Sequence, residues 1–285
     1  MSGAERLREL LNRGELLTVP GCSDALGATL IEQSGFEAVY MTGFGSSATL
    51  LGQPDVGLLT GSEMVDNARR IASATSLPVI ADADTGYGNP VNVIRTVREF
   101  ERAGVAAIQL EDQVSPKRCG HMSDKQVIPS DEMVAKLRAA VEARDEMLII
   151  ARTDARAPEG LSAAVDRAHA YVEAGADILF VEALESLDEF AAVGAEAFGV
   201  PLVCNWVEGG RSPALSAQHV AELGYQLLLF PISLLLAATN AMKSTLTTIR
   251  ADGVPTVEPG DDPFTEFTTT IGLPAVLDAQ HRFST

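Results

Sequence analysis

The feature that most constrains this chain is a rhythm: short β-branched or apolar runs return eight times, each followed by a longer segment whose apolar residues recur at helical spacing. Two-residue alternation buries one face of a strand, and a 3.6-residue period buries one face of a helix, so the repeat reads as successive βα units. The runs predict strands at Leu17–Pro20, Ala38–Thr42, Val79–Asp82, Ala107–Glu111, Leu148–Arg152, Ile178–Glu182, Leu202–Asn205 and Leu227–Phe230. Helical patterns fill the intervals, among them Glu63–Ala74, Val91–Ala103, Asp131–Ala143, Leu161–Ala174 and Leu187–Ala197. Gly104 and Gly175 supply the left-handed residue that closes a helix, and Ser130 and Ser186 are placed to cap helix starts.

Eight such units with no GxGxxG after the first strand favour an α/β fold of the closed (β/α)8 TIM-barrel type over an open doubly wound sheet. Residues 1–252 read as the barrel and 253–285 as a linker and helical tail, with the Pro/Asp/Gly-rich Gly253–Pro263 preceding an extra helix within Phe264–Thr285. The first fourteen residues, MSGAERLRELLNRG, mix charges through their apolar positions and read as an amphipathic helix rather than a secretory signal. The apolar run Leu227–Thr239 is interrupted by Pro231 and too short to cross a bilayer, so it reads as a strand entering a helix.

The balance of 21 basic and 39 acidic residues gives a formal charge of −18, which disfavours nucleic acid and anionic membrane as partners. A small anionic substrate then needs a local positive centre, from a divalent cation or an arginine. The cysteines Cys22, Cys119 and Cys204 are odd in number and widely spaced, which argues against a disulfide framework and for a reducing cytoplasm. Cys22 and Cys204 read as packing residues; His169, His219 and His281 lie in helical segments or the tail and receive no role.

Ionisable and polar residues gather at the ends of the predicted strands, the face on which barrel enzymes build their sites. Asp82 and Asp84 are two apart on an extended segment and so share a face; with Glu111 they assemble hard oxygen ligands of the kind Mg²⁺ takes. Arg152 can fork onto a substrate carboxylate, against the plainer reading of an ion pair with Asp154 or Glu182. Lys117-Arg118-Cys119-Gly120-His121 lies in the long connection after the fourth strand, where a mobile lid is expected. Two cations and a histidine beside a thiol favour the thiolate, which suits a group that moves a proton to or from carbon.

Four stretches, Asp82-Ala-Asp-Thr-Gly-Tyr-Gly88, Leu110-Glu-Asp-Gln113, Pro116-Lys-Arg-Cys-Gly-His121 and Ala151-Arg-Thr-Asp-Ala155, resemble the isocitrate lyase/phosphoenolpyruvate mutase superfamily, and the likeness runs from about Val19 to the tail. KRCGH is its most specific part, because members that act on carbon–carbon bonds carry that cysteine, whereas phosphoenolpyruvate mutases have an asparagine-containing loop. The resemblance implies Asp82 as principal Mg²⁺ ligand, with Asp84, Asp55 and Glu111 holding the ion directly or through waters; Mn²⁺ is an alternative metal. It implies that Tyr40, Thr42, Gly43 and Phe44 cradle a 2-oxo acid, helped by Arg152. Cys119 would exchange a proton with the second product, which Gly120, His121, Glu182 and Asn205 would contact. It further implies a homotetramer with the last helix packed on a neighbouring barrel, in keeping with the apolar Phe264, Phe267, Ile271 and Leu273 of the tail.

The activity expected from this resemblance is metal-dependent cleavage of a carbon–carbon bond in a small 2-hydroxy di- or tricarboxylate, giving a 2-oxo acid such as pyruvate and a second carboxylate. Methylisocitrate lyases, dimethylmalate lyases, oxaloacetate-cleaving enzymes and a carboxyphosphonoenolpyruvate mutase are all similar to the chain, so phosphonate or oxaloacetate chemistry stands as the alternative. Thr42 departs from the serine common in methylisocitrate lyases, and Pro231 resembles the lyases rather than oxaloacetate hydrolases. Trp206 and Phe44 point to a partly apolar second pocket. A non-catalytic barrel that senses a 2-oxo acid is the reading from a different class.

Overall fold

A computed structural model of the chain describes residues 1–120, 122, 124–256 and 262–284. Its strands are β1 (Leu17–Cys22), β2 (Val39–Met41), β3 (Val79–Asp82), β4 (Ala107–Glu111), β5 (Leu148–Thr153), β6 (Ile178–Val181), β7 (Leu202–Asn205) and β8 (Leu227–Phe230). All pair in parallel with their sequence neighbours, and β8 returns to β1, which closes the sheet into the expected eight-stranded (β/α)8 barrel. The helices are α1 (Gly3–Asn12), α2 (Ala25–Gln33), α3 (Gly43–Leu51), α4 (Gly61–Ser73), α5 (Pro90–Arg102), α6 (Ser130–Ala143), α7 (Arg156–Glu159), α8 (Leu161–Glu173), α9 (Leu187–Gly194), α10 (Ala217–Glu222), α11 (Ser233–Asp252), α12 (Pro263–Thr270) and α13 (Leu273–Phe283).

Strand parity divides the apolar residues into two cores. Leu17 and Val19, Ile80, Leu148 and Ile150, Ile178 and Phe180, and Leu227 and Leu229 fill the barrel interior, where Leu7 and Leu10 of α1 join them. The alternate residues, such as Val79, Ala81, Ile108, Ile149 and Leu179, pack outward with Val97, Phe100, Leu137 and Tyr171 of the surrounding helices. Extending the inward parity along each strand brings Asp82, Glu111, Arg152, Glu182 and Asn205 to the inner face at one mouth. The site is thus a consequence of a two-residue period continued past the last apolar layer.

Local chemistry explains where elements begin and end. Ser2 and Glu5 form a reciprocal cap that starts α1, as do Thr60 and Glu63 for α4. β2 is shorter than expected because Thr42 already caps α3, its hydroxyl accepting from the Gly45 amide. β6 stops one residue early, before Ala183 turns to a φ of 58°. Ser186 caps α9 as expected, but Ser130 does not cap α6: it is the first helical residue, preceded by Pro129, and makes no capping bond.

The chain divides into Met1–Leu234 and Leu235–Thr285. The division falls near the start of α11 rather than after residue 252, because none of the residues of α11 is buried. The tail holds two helices instead of one, separated at Gly272, whose φ of 84° ends the helical path. Among the described residues no helix is long and apolar enough to cross a membrane.

Gly21 fixes the seam between the first and last strands. A Cβ at that position would lie 2.5 Å from the Pro231 carbonyl oxygen and 2.6 Å from its Cα, and backbone cannot step aside as a side chain can. Gly21→Ala is expected to cost about 1–3 kcal/mol through overpacking. Thermal unfolding reads this as a fall in Tm of several degrees; an unchanged Tm would show that the seam has slack.

Candidate active site

A cavity of about 240 Å³ opens at this mouth, and Tyr40, Thr42, Phe44, Asp55 and Asp82 line it. Cys119, Gly120, Arg152, Glu182 and Asn205 line it as well. Three further expected residues lie just behind the wall. Gly43 backs onto Asp82 so closely that a Cβ there would stand 2.5 Å from Oδ2. Asp84 meets Lys117 at 2.9 Å, and Glu111 approaches Arg152 at 3.3 Å. His121 lies outside the described residues.

Asp82 and Asp84 are brought together by a route the sequence did not indicate. β3 ends at Asp82, and Asp84 sits in the left-handed region at a φ of 47°, so strand alternation is not what aligns them. Instead the chain folds back, and the Asp84 amide donates to Asp82 Oδ1 at 3.0 Å. Tyr87, also at positive φ, reaches Asp84 Oδ2 from its hydroxyl at 3.4 Å. Non-glycine residues in this region carry backbone strain of the kind that collects at functional sites.

The electrostatics of the mouth are dominated by acid in a setting that water barely reaches. Six buried acids (Asp55, Asp82, Asp84, Glu111, Asp154 and Glu182) face three buried cations (Lys117, Lys125 and Arg152), an excess of three formal charges. Burial, with repulsion from Asp84 and Asp55, outweighs the attraction of Lys117 and Arg152 and pushes the Asp82 carboxyl up to about 6. Burial likewise drives Glu111 well above the usual carboxylate range, against the pull of Arg152. Both Glu111 oxygens and Asp84 Oδ1 have no directed hydrogen bond among the described residues.

That pattern fits a divalent cation. Mg²⁺ prefers hard oxygen ligands, takes one or two carboxylates directly and keeps several waters. Asp82, with Asp84, Asp55 and Glu111 around it, offers such donors, and a dication would cancel two of the three excess charges. Among the described residues no three His, Cys, Asp or Glu side chains converge on one point as a complete protein cage. Lys117 lies within the acid group, 2.7 Å from Asp55 and 2.9 Å from Asp84, and its ammonium is held well above its ordinary value by the surrounding acids despite burial. Its charge therefore serves the acid cluster, which corrects the reading of Lys117 as a partner of the Cys119 thiol.

Arg152 is a second hub of the site, ion-paired with Glu111, Asp154 and Glu182. Its Nε and Nη2 fork onto Asp154 at 2.9 and 3.1 Å, so the bidentate face assigned to substrate is engaged within the protein. Nη2 also lies 3.2 Å from Glu182, and the guanidinium sits 5.2 Å from the Phe180 ring centroid. That fork is therefore taken up within the protein and is not open to a ligand. Asp154 is held in turn by Lys125, 2.7 Å from Oδ1. Burial alone would raise Asp154, but Arg152 and Lys125 overcome it and bring its carboxyl down to about 2.

Lys117 and Lys125 stand at the two ends of the segment that carries Cys119, so both feet of this flap are anchored by buried lysines. The flap is pressed onto the site: a Cβ at Gly120 would collide with the Arg152 guanidinium and lie 2.7 Å from Glu182 carbons. The Cys119 amide donates to the Asp55 carbonyl at 3.2 Å. Cys22 and Cys204 are buried away from such contacts, and burial pushes both thiols up to about 12, as packing residues require. Behind Asp154 a further network, in which Asp112 accepts from Thr153, Tyr171 and Arg167, braces β4 against β5 and α8. Sequence reasoning missed Lys125 and this network, because a lysine in a loop carries no periodic signal of its partner.

A closed barrel with an acidic metal-type cluster and a thiol-bearing flap at its mouth defines a class of barrel enzyme, and the chain's relatives agree. The family model described as phosphoenolpyruvate phosphomutase matches residues 7–250. A 2,3-dimethylmalate lyase of Eubacterium barkeri is 46% identical over 288 residues, covering 100% of this chain and 99% of that protein. A 2-methylisocitrate lyase of Aeropyrum pernix is 46% identical over 247 residues, covering 87% of this chain and 80% of its own. The crystal structure of a phosphonopyruvate hydrolase complexed with oxalate and Mg²⁺ superposes with a TM-score of 0.90 at 32% identity, covering 99% of both chains. The chain belongs to the phosphoenolpyruvate mutase/isocitrate lyase superfamily.

The lysine at the far foot of the flap gives a direct test of this wiring. Lys125→Met leaves Asp154 with one cation in place of two, and breaking a buried pair from one side typically costs about 3–5 kcal/mol. The expected outcome is a lowered Tm together with faster tryptic cleavage after Arg118, both partly reversed in Lys125→Arg. Tryptic resistance equal to wild type would show that Lys125 does not hold the flap.

Proposed function

We propose that this protein is a Mg²⁺-dependent lyase, with Mn²⁺ as an alternative ion, that cleaves a small 2-hydroxy di- or tricarboxylate of the dimethylmalate or methylisocitrate type. The products are a 2-oxo acid such as pyruvate and a second carboxylate. The observation that carries the reading is the placement of a thiol, Cys119, in one cavity with Asp82 and Arg152. The full-length likeness to a dimethylmalate lyase supports it.

Asp82, with Asp84, Asp55 and Glu111 nearby, would hold the metal, which when bound supplies a Lewis acid for the oxygen on the second carbon. Tyr40, Thr42 and Phe44, with Gly43 behind them, would form the floor against which the 2-oxo acid half rests. As the hydroxyl proton leaves, the pair of the bond between the second and third carbons passes to the departing fragment. The second carbon becomes a carbonyl, and the fragment becomes an enediolate. Arg152, the Gly120 backbone and Asn205 face that charge, and donors fixed in advance lower the barrier because they need no reorganisation. The Cys119 thiol then gives its proton to the carbon and is restored from the hydroxyl proton through solvent or a neighbouring base. A flap seated on Gly120 keeps bulk water from the enediolate.

Three cysteines, none of them in a disulfide, suit a reducing cytoplasm. Exposed Phe264, Phe267, Ile271 and Leu273 on α12, α13 and their junction support assembly into a homotetramer through the tail.

Cys119→Ser should lower kcat by about a thousandfold or more, because the hydroxyl is a far weaker acid at the position of proton transfer, while leaving oxalate binding in the presence of Mg²⁺ intact. Release of 2-oxo acid and calorimetric titration read the two quantities; retained turnover removes Cys119 from the mechanism.

The raised Asp82 carboxyl makes metal binding pH-dependent. A folded value near 6 against an ordinary 3.8 means that the metal-free fold loses stability as pH rises between those values, and metal binds the form that ionises above 6. The Mg²⁺-induced gain in Tm should therefore grow with pH through about 6, with affinity roughly tenfold weaker at pH 5 than at pH 7. An affinity flat across that range would rule out Asp82 as the group that ionises.

A further inference from the structure

The stretch Leu110-Glu-Asp-Gln113 ends in a residue to which the mechanism gives no task. Gln113 follows the end of β4 by two positions, is 2% exposed, and pairs with Val127 in an antiparallel bridge. Beside it the Val114 amide donates to the Gln126 carbonyl at 2.8 Å, so its backbone is well anchored. Its side chain is turned to a single residue of the flap. Nε2 donates to the Arg118 carbonyl at 2.8 Å, and Oε1 accepts from the Arg118 amide at 3.0 Å. A carboxamide that engages both polar groups of one residue's backbone fixes direction as well as distance.

That grip controls the peptide unit leading into Cys119. The Arg118 carbonyl and the Cys119 amide belong to one rigid plane. Gln113 holds the carbonyl edge, and the Asp55 carbonyl accepts from the amide edge at 3.2 Å. On the far side of the Cys119 Cα, the Cys119 carbonyl accepts from the Met122 amide at 2.9 Å. With both flanking planes held, the direction of the Cα–Cβ bond is set, and the thiol keeps only its own rotation. Lys117 and Lys125 settle where the flap lands, but an ammonium on a flexible stem gives no orientation. We infer that Gln113 is a positioning residue that aims the Cys119 thiol at the carbon it protonates. This rests on the lyase reading and deepens it.

The experiment uses the Mg²⁺-loaded protein, as wild type, Gln113→Glu and Gln113→Leu, with whichever of 2,3-dimethylmalate and 2-methylisocitrate the wild type cleaves faster. Glutamate keeps the shape and the acceptor but loses the donor to the Arg118 carbonyl, whereas leucine loses both. A reacting group misplaced by about 1 Å can cost roughly a hundredfold in rate. The kcat should therefore fall about tenfold in Gln113→Glu and about a hundredfold in Gln113→Leu, while the Kd for oxalate stays within about threefold of wild type. The solvent deuterium isotope effect on kcat should rise in both variants, because transfer of the thiol proton becomes slower. Cys22 and Cys204 are buried, so iodoacetamide reads Cys119, which should be alkylated several-fold faster as the flap loosens. Should Gln113→Leu fail to fold, the same readouts in Gln113→Glu decide. A kcat and isotope effect unmoved by the substitutions, or oxalate binding lost in step with kcat, overturns the assignment. Faster alkylation in the variants of a protein that cleaves neither substrate would instead overturn the lyase reading while upholding the hold of Gln113 on the flap.

Discussion

Excess negative charge held away from water at the barrel mouth is the constraint around which the rest of the structure is arranged. Ionised carboxylates placed this close in a poorly solvated site repel strongly unless cations intervene. Lys117 and Arg152 are each held between acids, and Lys125 is paired with Asp154. The raised Asp82 and Glu111 carboxyls reflect burial first, with repulsion from neighbouring acids added to it. In the proposed function a divalent ion would relieve that excess, and the barrel supplies the rigidity that stops the acids from moving apart.

The flap belongs to this charge economy and is not a separate lid added above it. Its two lysines bring positive charge into the mouth as they dock, so the position of Cys119 and the electrostatics beneath it are set together. Gly120 permits the approach, because any side chain there would strike Arg152. The same Arg152 is clamped by Asp154, which in turn needs Lys125. Flap, arginine and metal-type cluster therefore form one connected unit, joined through side chains that lie far apart in the sequence.

Much of the fold was legible because it rests on periodicity. β3, β4, β7 and β8 coincide with the predicted runs, and inward parity alone carries Asp82, Glu111, Arg152, Glu182 and Asn205 to one mouth. The site residues were legible by type and by the four quoted stretches, but their pairings were not. Asp82 and Asp84 meet through a left-handed turn, Arg152 offers its fork to Asp154, and Lys117 turns to the acids. Each outcome depends on a partner supplied by another strand or loop, which a single sequence leaves open. Ser130 shows the same limit at short range: the residue type suits a cap, but the helix begins one position earlier than that role requires.

The amphipathic helix at the N-terminus has a consequence for traffic through the enzyme. Leu7 and Leu10 join the inner core of the barrel and are fully buried there, so the interior is stoppered at the end away from the mouth. Cargo must enter and depart by a single doorway. In the proposed reaction the fragment nearest the flap blocks the exit of the one resting deeper, so discharge is sequential: the newly protonated acid goes first and the 2-oxo acid follows.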